Sequence, residues 1–163
     1  PREASREARE EGTRLHDDID RYIKSGVVSE ENPLFVAWLH HPALGDADWL
    51  ASEQFVYSCG FGGTLDAVSR GDDGVTLWEF KTVDANSWHR YGSSLRLAKD
   101  SAQLAAYATT LRAMGSIYAP TRGRIGYILR DASQVVVEEV DLDWGWKLFR
   151  ASKAVYDIRK EGQ

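Results

Sequence analysis

The order of local patterns along the chain predicts a mixed α/β fold: a central mixed β-sheet flanked by helices, in a single domain over residues 1–163. Three observations predict it. Five short runs have the apolar or alternating character of strands, and four stretches carry apolar residues at helical spacing. The two kinds follow one another as α-α-β-β-β-α-β-β-α. At 163 residues, with 43% hydrophobic and 28% charged, the chain is long enough to close one packed core around such a sheet.

Ala4, Ala8, Leu15, Ile19, Tyr22 and Ile23 recur at three-, four- and seven-residue spacings, so residues 2–24 read as one amphipathic helix. Gly26 stands where a helix C-terminal glycine would. Asn32-Pro33 opens a second helix that carries Phe35, Val36, Trp38 and Leu39 and stops before Pro42. Residues 51–57 and 61–69 read as strands joined by a short turn, and Arg70-Gly71-Asp72-Asp73-Gly74 as a hairpin loop. Residues 75–81 form a third strand, apolar on both faces as a covered, central strand should be. Residues 83–100 lack periodicity and read as a long loop of functional type. A helix over 101–114, strands over 124–129 and 134–140, and a helix over 143–160 complete the chain. No repeat, low-complexity segment or linker interrupts it.

Composition bounds the function. A net charge of −5 argues against a protein that coats nucleic acid through a bulk positive field, but not against an enzyme whose bound cations invert the local charge. The lone Cys59 can form no intrachain disulfide and no four-cysteine zinc or iron–sulfur site, which suggests a reducing, cytoplasmic setting. The charged stretch PREASREAREEG is neither a signal peptide nor an anchor, and no segment has the ~20 apolar residues a membrane span needs. The chain begins at Pro1 rather than methionine, as a processed protein or a piece of a longer one would.

The third strand raises a chemical question. Residues two apart on a strand share a face, so Glu79 and Lys81 project together while Trp78 and Phe80 point the other way. Asp66, on the neighbouring strand, can converge on the same patch. Taken alone, a Glu-x-Lys pair is an ion pair at a sheet end. The other reading is a divalent-cation site built from two hard carboxylates and the Phe80 carbonyl, with Lys81 beside it to orient or activate a water. Further features bear on the choice. His16 shares a helical face with Ile19 and Ile23, Glu53 opens the first strand, Gln103 and Tyr107 are four apart on one helix, and Gly62-Gly63-Thr64 precedes Asp66. Each has an ordinary structural reading: a core histidine, an exposed acid, a hydrogen-bonded helix edge, a close backbone approach.

In order, GTRLH, Glu53, GTLD, WEFKT and QLAAY resemble the motifs of the PD-(D/E)xK nuclease superfamily. Within it they are similar to the RecB-like exonuclease branch, with its G-x-x-x-H, acid, G-x-x-D, (D/E)-x-K-T and Q-x-x-x-Y pattern. The resemblance covers residues 12–107. It implies a restriction-endonuclease-like core and hydrolysis of DNA phosphodiesters with Mg²⁺ or Mn²⁺, by an exonuclease acting on ends or single strands in repair, recombination or phage DNA processing. It implies Asp66 and Glu79 as metal ligands, with His16 as an additional one. It further implies Lys81 as the catalytic lysine, Glu53 near the metals or their waters, and Gln103 and Tyr107 steadying the lysine or a phosphate. The acid before the lysine is Glu79 rather than Asp, as the wider superfamily allows, and Cys59 alone cannot hold the cluster some members carry.

Backbone contacts to DNA are expected from Arg90, Arg96 and Lys99, with Arg122, Arg124 and Arg130 as further candidates. Trp88, His89 and Tyr91 interleave with the basic loop, either as a stacking platform for single strands or as a solvated loop with one buried Trp. A catalytically inactive nuclease-fold module that binds nucleic acid or a partner is the alternative function.

Overall fold

In the computed structural model, residues 2–58, 61–94 and 96–161 are described; Cys59 lies outside them. Helix α1 (Arg2–Ser25) is followed by α2 (Pro33–Leu39) and the single turn α3 (Pro42–Gly45). Strands β1 (Asp48–Ser58), β2 (Phe61–Gly71) and β3 (Gly74–Val83) form an antiparallel meander. Helices α4 (Ala85–Tyr91) and α5 (Leu97–Ala113) then cross to β4 (Arg122–Leu129), which runs parallel to β3. Strand β5 (Val135–Val140) pairs antiparallel with β4, and α6 (Leu142–Glu161) ends the chain. The sheet order is β1-β2-β3-β4-β5, a mixed five-stranded sheet with β3 at its centre, as the sequence predicts.

Apolar residues cover both faces of that sheet. Trp78 and Phe80 face α1–α3, where Leu15, Ile19, Leu34, Phe35, Trp38 and Leu44 are buried. Trp38 sits among rings, stacked on Phe35 and Trp49 at 5.7 and 5.6 Å and edge-on to Phe80 at 5.8 Å. Leu77 and Val83 face the other way, against Leu104, Ala105, Ala108 and Leu111 of α5 and Leu142 of α6. Helix α5 is buried nearly all round because α6 covers the side turned away from the sheet. Among the described residues no helix is long and apolar enough to cross a membrane.

Local chemistry sets the ends of the elements. Asn32 caps α2 through its Oδ1, which accepts the Leu34 and Phe35 N–H groups, while its Nδ2 donates to buried Asp18 of α1 at 2.7 Å. The second hairpin is tighter than the sequence suggests: Arg70 and Gly71 belong to β2, and only Asp72-Asp73 turn.

One expectation is corrected. Residues 83–100 are not a long loop, since Val83 ends β3, α4 occupies 85–91 and α5 begins at Leu97, four residues before the predicted start. Asp84 caps α4 by accepting the Ser87 N–H at 2.8 Å, and Gly92 ends it at φ +57°. A helix of two turns with no buried residue cannot display apolar periodicity, which is why the pattern missed it.

Candidate metal centre

The ladder between β2 and β3 runs from Gly71↔Gly74 to Ala67↔Trp78. Asp66 is the next residue of β2, and its Oδ2 accepts the Phe80 N–H at 2.6 Å, so a side chain takes up the strand donor. On the other flank, the β1–β2 register sets Glu53 opposite Asp66, between the pairs Ser52↔Ala67 and Gln54↔Leu65. Glu53 holds φ +46°, a left-handed conformation that a non-glycine residue adopts only under local constraint. Helix α1 brings in His16, whose Nδ1 lies 3.4 Å from Glu53 Oε1 and 3.5 Å from Asp66 Oδ1, and whose Nε2 lies 3.2 Å from the Phe80 carbonyl. One donor atom each from His16, Glu53 and Asp66 falls within 4.8 Å of the others, a spacing a single cation could bridge.

Glu79 and Lys81 complete the group on β3. Lys81 Nζ donates to Glu79 Oε1, while Glu79 Oε2 is buried without a hydrogen-bond partner. Glu79 is only 1% exposed and Asp66 7%. A buried carboxylate oxygen left unpaired is costly, and a hard cation is one of the few ligands that satisfies it. With one imidazole and two carboxylates close enough to share a cation, the Phe80 carbonyl beside His16 and an unpaired Glu79 oxygen on the same strand, the residues present fit Mg²⁺ or Mn²⁺.

The electrostatics agree. Burial pushes the Glu79 pKa up, the nearby Asp66 charge pushes it further, and Lys81 pulls it only partly back, leaving it at about 7. Asp66 is also raised, chiefly by burial, despite His16, the Phe80 N–H and Lys81. For His16, burial disfavours the imidazolium, but the Glu53 hydrogen bond and the Asp66 and Glu53 charges together outweigh it, and the pKa is raised. Lys81 loses to burial and gains more from Glu79, so its pKa rises too. Without cations, Glu79, Asp66 and His16 hold their protons to higher pH than the free groups do.

Two glycines let the pieces meet. A Cβ on Gly12 would stand 3.2 Å from the Thr82 hydroxyl, so α1 approaches the end of β3 closely at the GTRLH segment. A Cβ on Gly63 would fall 2.9 Å from Cζ of Tyr107 and closer still to its hydroxyl. Tyr107 therefore lies directly over the strand that carries Asp66, with Gln103 Nε2 donating to its hydroxyl at 3.3 Å. Burial, followed by the Glu79 and Asp66 charges, raises the Tyr107 pKa against the pull of Gln103.

An open cleft of about 670 Å³ reaches the cluster, lined by Gly12, Thr13 and His16 of α1, Glu53 of β1, and Thr64 and Asp66 of β2. A second hollow of about 480 Å³ lies between β2, α5 and α6, bordered by Phe61, Lys99, Gln103, Tyr107 and Phe149.

The expected nucleic-acid contacts are placed less uniformly. Trp88 packs its ring on Tyr127 at 4.9 Å, so it serves the core. Tyr91 is exposed with Arg90 over its ring, His89 and Lys99 are exposed, and Arg96 Nη1 donates to the Thr82 carbonyl at 3.4 Å, beside the motif strand. Arg122 is paired with Asp73 and Glu139, Arg124 with Glu139, and Arg130 with Glu11, so these three already have acidic partners.

Sequence reasoning passed over Asp100. It is buried, it accepts the Tyr127 hydroxyl at 3.2 Å, and its charge is among those that raise Lys81. The signal was spacing: Asp100, Gln103 and Tyr107 stand at i, i+3 and i+7 and so share one face of the helix. Ser52, whose hydroxyl donates to Asp20 Oδ1 at 2.6 Å, also ties β1 to α1 next to Glu53 without any sequence signal.

No protein-family model and no curated protein matches the chain. Among solved structures it is similar to the crystal structure of a protein designated SSO0001, at 19% identity over 64% of this chain and 48% of that one, with a TM-score of 0.37. The chain thus spans about half the length of that match.

Proposed function

We propose that the chain is a divalent-cation-dependent deoxyribonuclease, an exonuclease of the RecB-like PD-(D/E)xK type. The observation that carries the reading is the meeting of the five ordered motifs around His16, Glu53 and Asp66, beside a buried Glu79 that has an unpaired oxygen and a raised pKa. An ion pair alone would explain Glu79 with Lys81. It gives no reason for His16, Glu53 and Asp66 to be drawn to the same point.

In this reading His16, Asp66, Glu79 and the Phe80 carbonyl would hold Mg²⁺ or Mn²⁺, with Glu53 as a further ligand or a partner of a water. When bound, the cation would supply Lewis acidity and a nucleophilic water at neutral pH. Lys81, held by Glu79, orients the attacking water and offers positive charge where negative charge develops on the phosphoryl oxygens. Gln103 and Tyr107, over Gly63, steady the phosphate or the lysine. The net charge of −5 is no obstacle, because part of it belongs to the carboxylates that cations would neutralise.

The test is digestion of end-labelled single- and double-stranded DNA and RNA with and without Mn²⁺. Progressive shortening of DNA from one end, abolished by chelator, is expected. Cleavage of closed circles would contradict the exonuclease assignment, and intact substrates with a folded, Mn²⁺-loaded protein would contradict the nuclease itself.

A further inference from the structure

Two large rings on β1 find no place in the core. Phe55 is 72% exposed and Tyr57 63% exposed, on a strand whose Val56 is buried beneath the sheet. Alternation sets Phe55 and Tyr57 on one face, two and four residues beyond Glu53. That is the face of the cleft: Phe55 pairs with Thr64, which lines it, and Glu53 lines it as well. Both rings flank Gly62, where a Cβ would stand 3.1 Å from Tyr57 and 3.3 Å from Phe55, so they form a continuous strip over the end of the hairpin. Successive rings on one strand face stand about 6.6 Å apart, two residues of strand rise.

Resting on the nuclease reading above, we propose that Phe55 and Tyr57 form a stacking track for the bases of single-stranded DNA, leading along β1 to the cleft at Glu53, His16 and Asp66. Aromatic rings bind bases of any sequence through their π-faces, as an end-degrading enzyme requires. A duplex keeps its bases stacked on one another and has none to offer, so the track selects single strands. A second copy of the chain is a poorer occupant. Two rings supply at most about 150–250 Å² each, well below the roughly 1,200 Å² that a stable interface buries. Of the rings expected to stack, Trp88 is packed on Tyr127, while exposed Tyr91 lies on α4 and is not among the residues that line the cleft.

The experiment is fluorescence anisotropy with labelled oligothymidylate, the same oligomer made of abasic residues, and a blunt duplex. Ca²⁺ replaces Mn²⁺ to suppress cleavage, and wild type is compared with Phe55→Ala/Tyr57→Ala. Both positions are exposed, so the variant keeps its fold, checked by its melting temperature. Oligothymidylate affinity is expected to fall about 5- to 150-fold for each base stack lost, with abasic and duplex affinities unchanged. Equal wild-type affinity for the abasic and thymidylate oligomers, or unchanged affinity in the variant, overturns the track. So does a wild-type dimer that the double substitution dissociates without loss of DNA affinity. The Mn²⁺-induced rise in melting temperature of the same preparations keeps the two readings apart. Its absence in wild type strikes the metal centre, whereas its presence beside an unchanged DNA affinity strikes the track alone.

Discussion

Burial of Glu79 at 1% exposure disfavours its carboxylate, and the Asp66 charge adds to that penalty, while Lys81 offsets only part of it. The consequence is a measurable slope. Glu79, Asp66 and His16 all have pKa values above their ordinary ones, so the folded state binds more protons than the unfolded chain, and stability falls as pH rises. For Glu79 the window runs from 4.5 to about 7 and is worth about 3 kcal/mol across it. With chelator present, the melting temperature should therefore drop between pH 4.5 and 7. Glu79→Gln should flatten that drop, and Mn²⁺ should reverse it above pH 7, where fewer protons compete for the ligands. A flat wild-type profile in chelator would show that the cluster is not proton-retaining.

Strand β2 and helix α5 are coupled through one missing side chain, because Gly63 leaves the space that the Tyr107 ring and hydroxyl fill. Gly63→Ala should lower DNA cleavage by displacing Tyr107, and Tyr107→Phe should lower it less. A double-mutant cycle on stability should show a coupling of about 0.5–3 kcal/mol, since removing the hydroxyl relieves part of the clash. Additive effects would place the two residues apart. On α4, Trp88→Ala should cost about 3–5 kcal/mol or somewhat less, given its partial burial, and leave DNA affinity per folded molecule intact, because its ring packs on Tyr127. Anisotropy and thermal melting on one preparation decide this.

These elements also show what the residues made legible. Strand β3 announced itself through Val75, Leu77, Trp78 and Phe80, and α1 through Leu15, Ile19 and Ile23, because burial on one or both faces writes a period into the sequence. Helix α4, two turns long, fully buries no residue and only half-buries Ala85 and Trp88, so it had no period to write. Its signals were Asp84 at the cap and Gly92 past the end, which a search for periodicity overlooks. The motif residues were legible by type and order. The conformation of Glu53, the packing of Trp88 and the Asp100–Tyr127 contact were not, since each depends on which segments the fold brings together.

Across the whole molecule, charge is sorted rather than uniform. Acids gather at the candidate metal centre, Arg122, Arg124 and Arg130 are paired with Asp73, Glu139 and Glu11, and Arg90 and Arg96 lie on or just after α4. Arg90→Ala and Arg96→Ala should each raise KM for DNA with little change in kcat, and reduce the slope of binding against log salt by up to about one unit. Unchanged slopes would remove this end of the sheet from the DNA path. In the proposed mechanism Asp66 binds the cation, and Lys81 acts on the reaction without binding it. This is tested most directly by measuring Mn²⁺ affinity by calorimetry and cleavage of end-labelled single-stranded DNA on matched preparations of wild type, Asp66→Asn and Lys81→Met. Both variants should fail to cleave, with Mn²⁺ affinity weakened in Asp66→Asn and kept or tightened in Lys81→Met. A Lys81→Met protein that still shortens DNA, or an Asp66→Asn protein that binds Mn²⁺ as wild type does, would contradict the account.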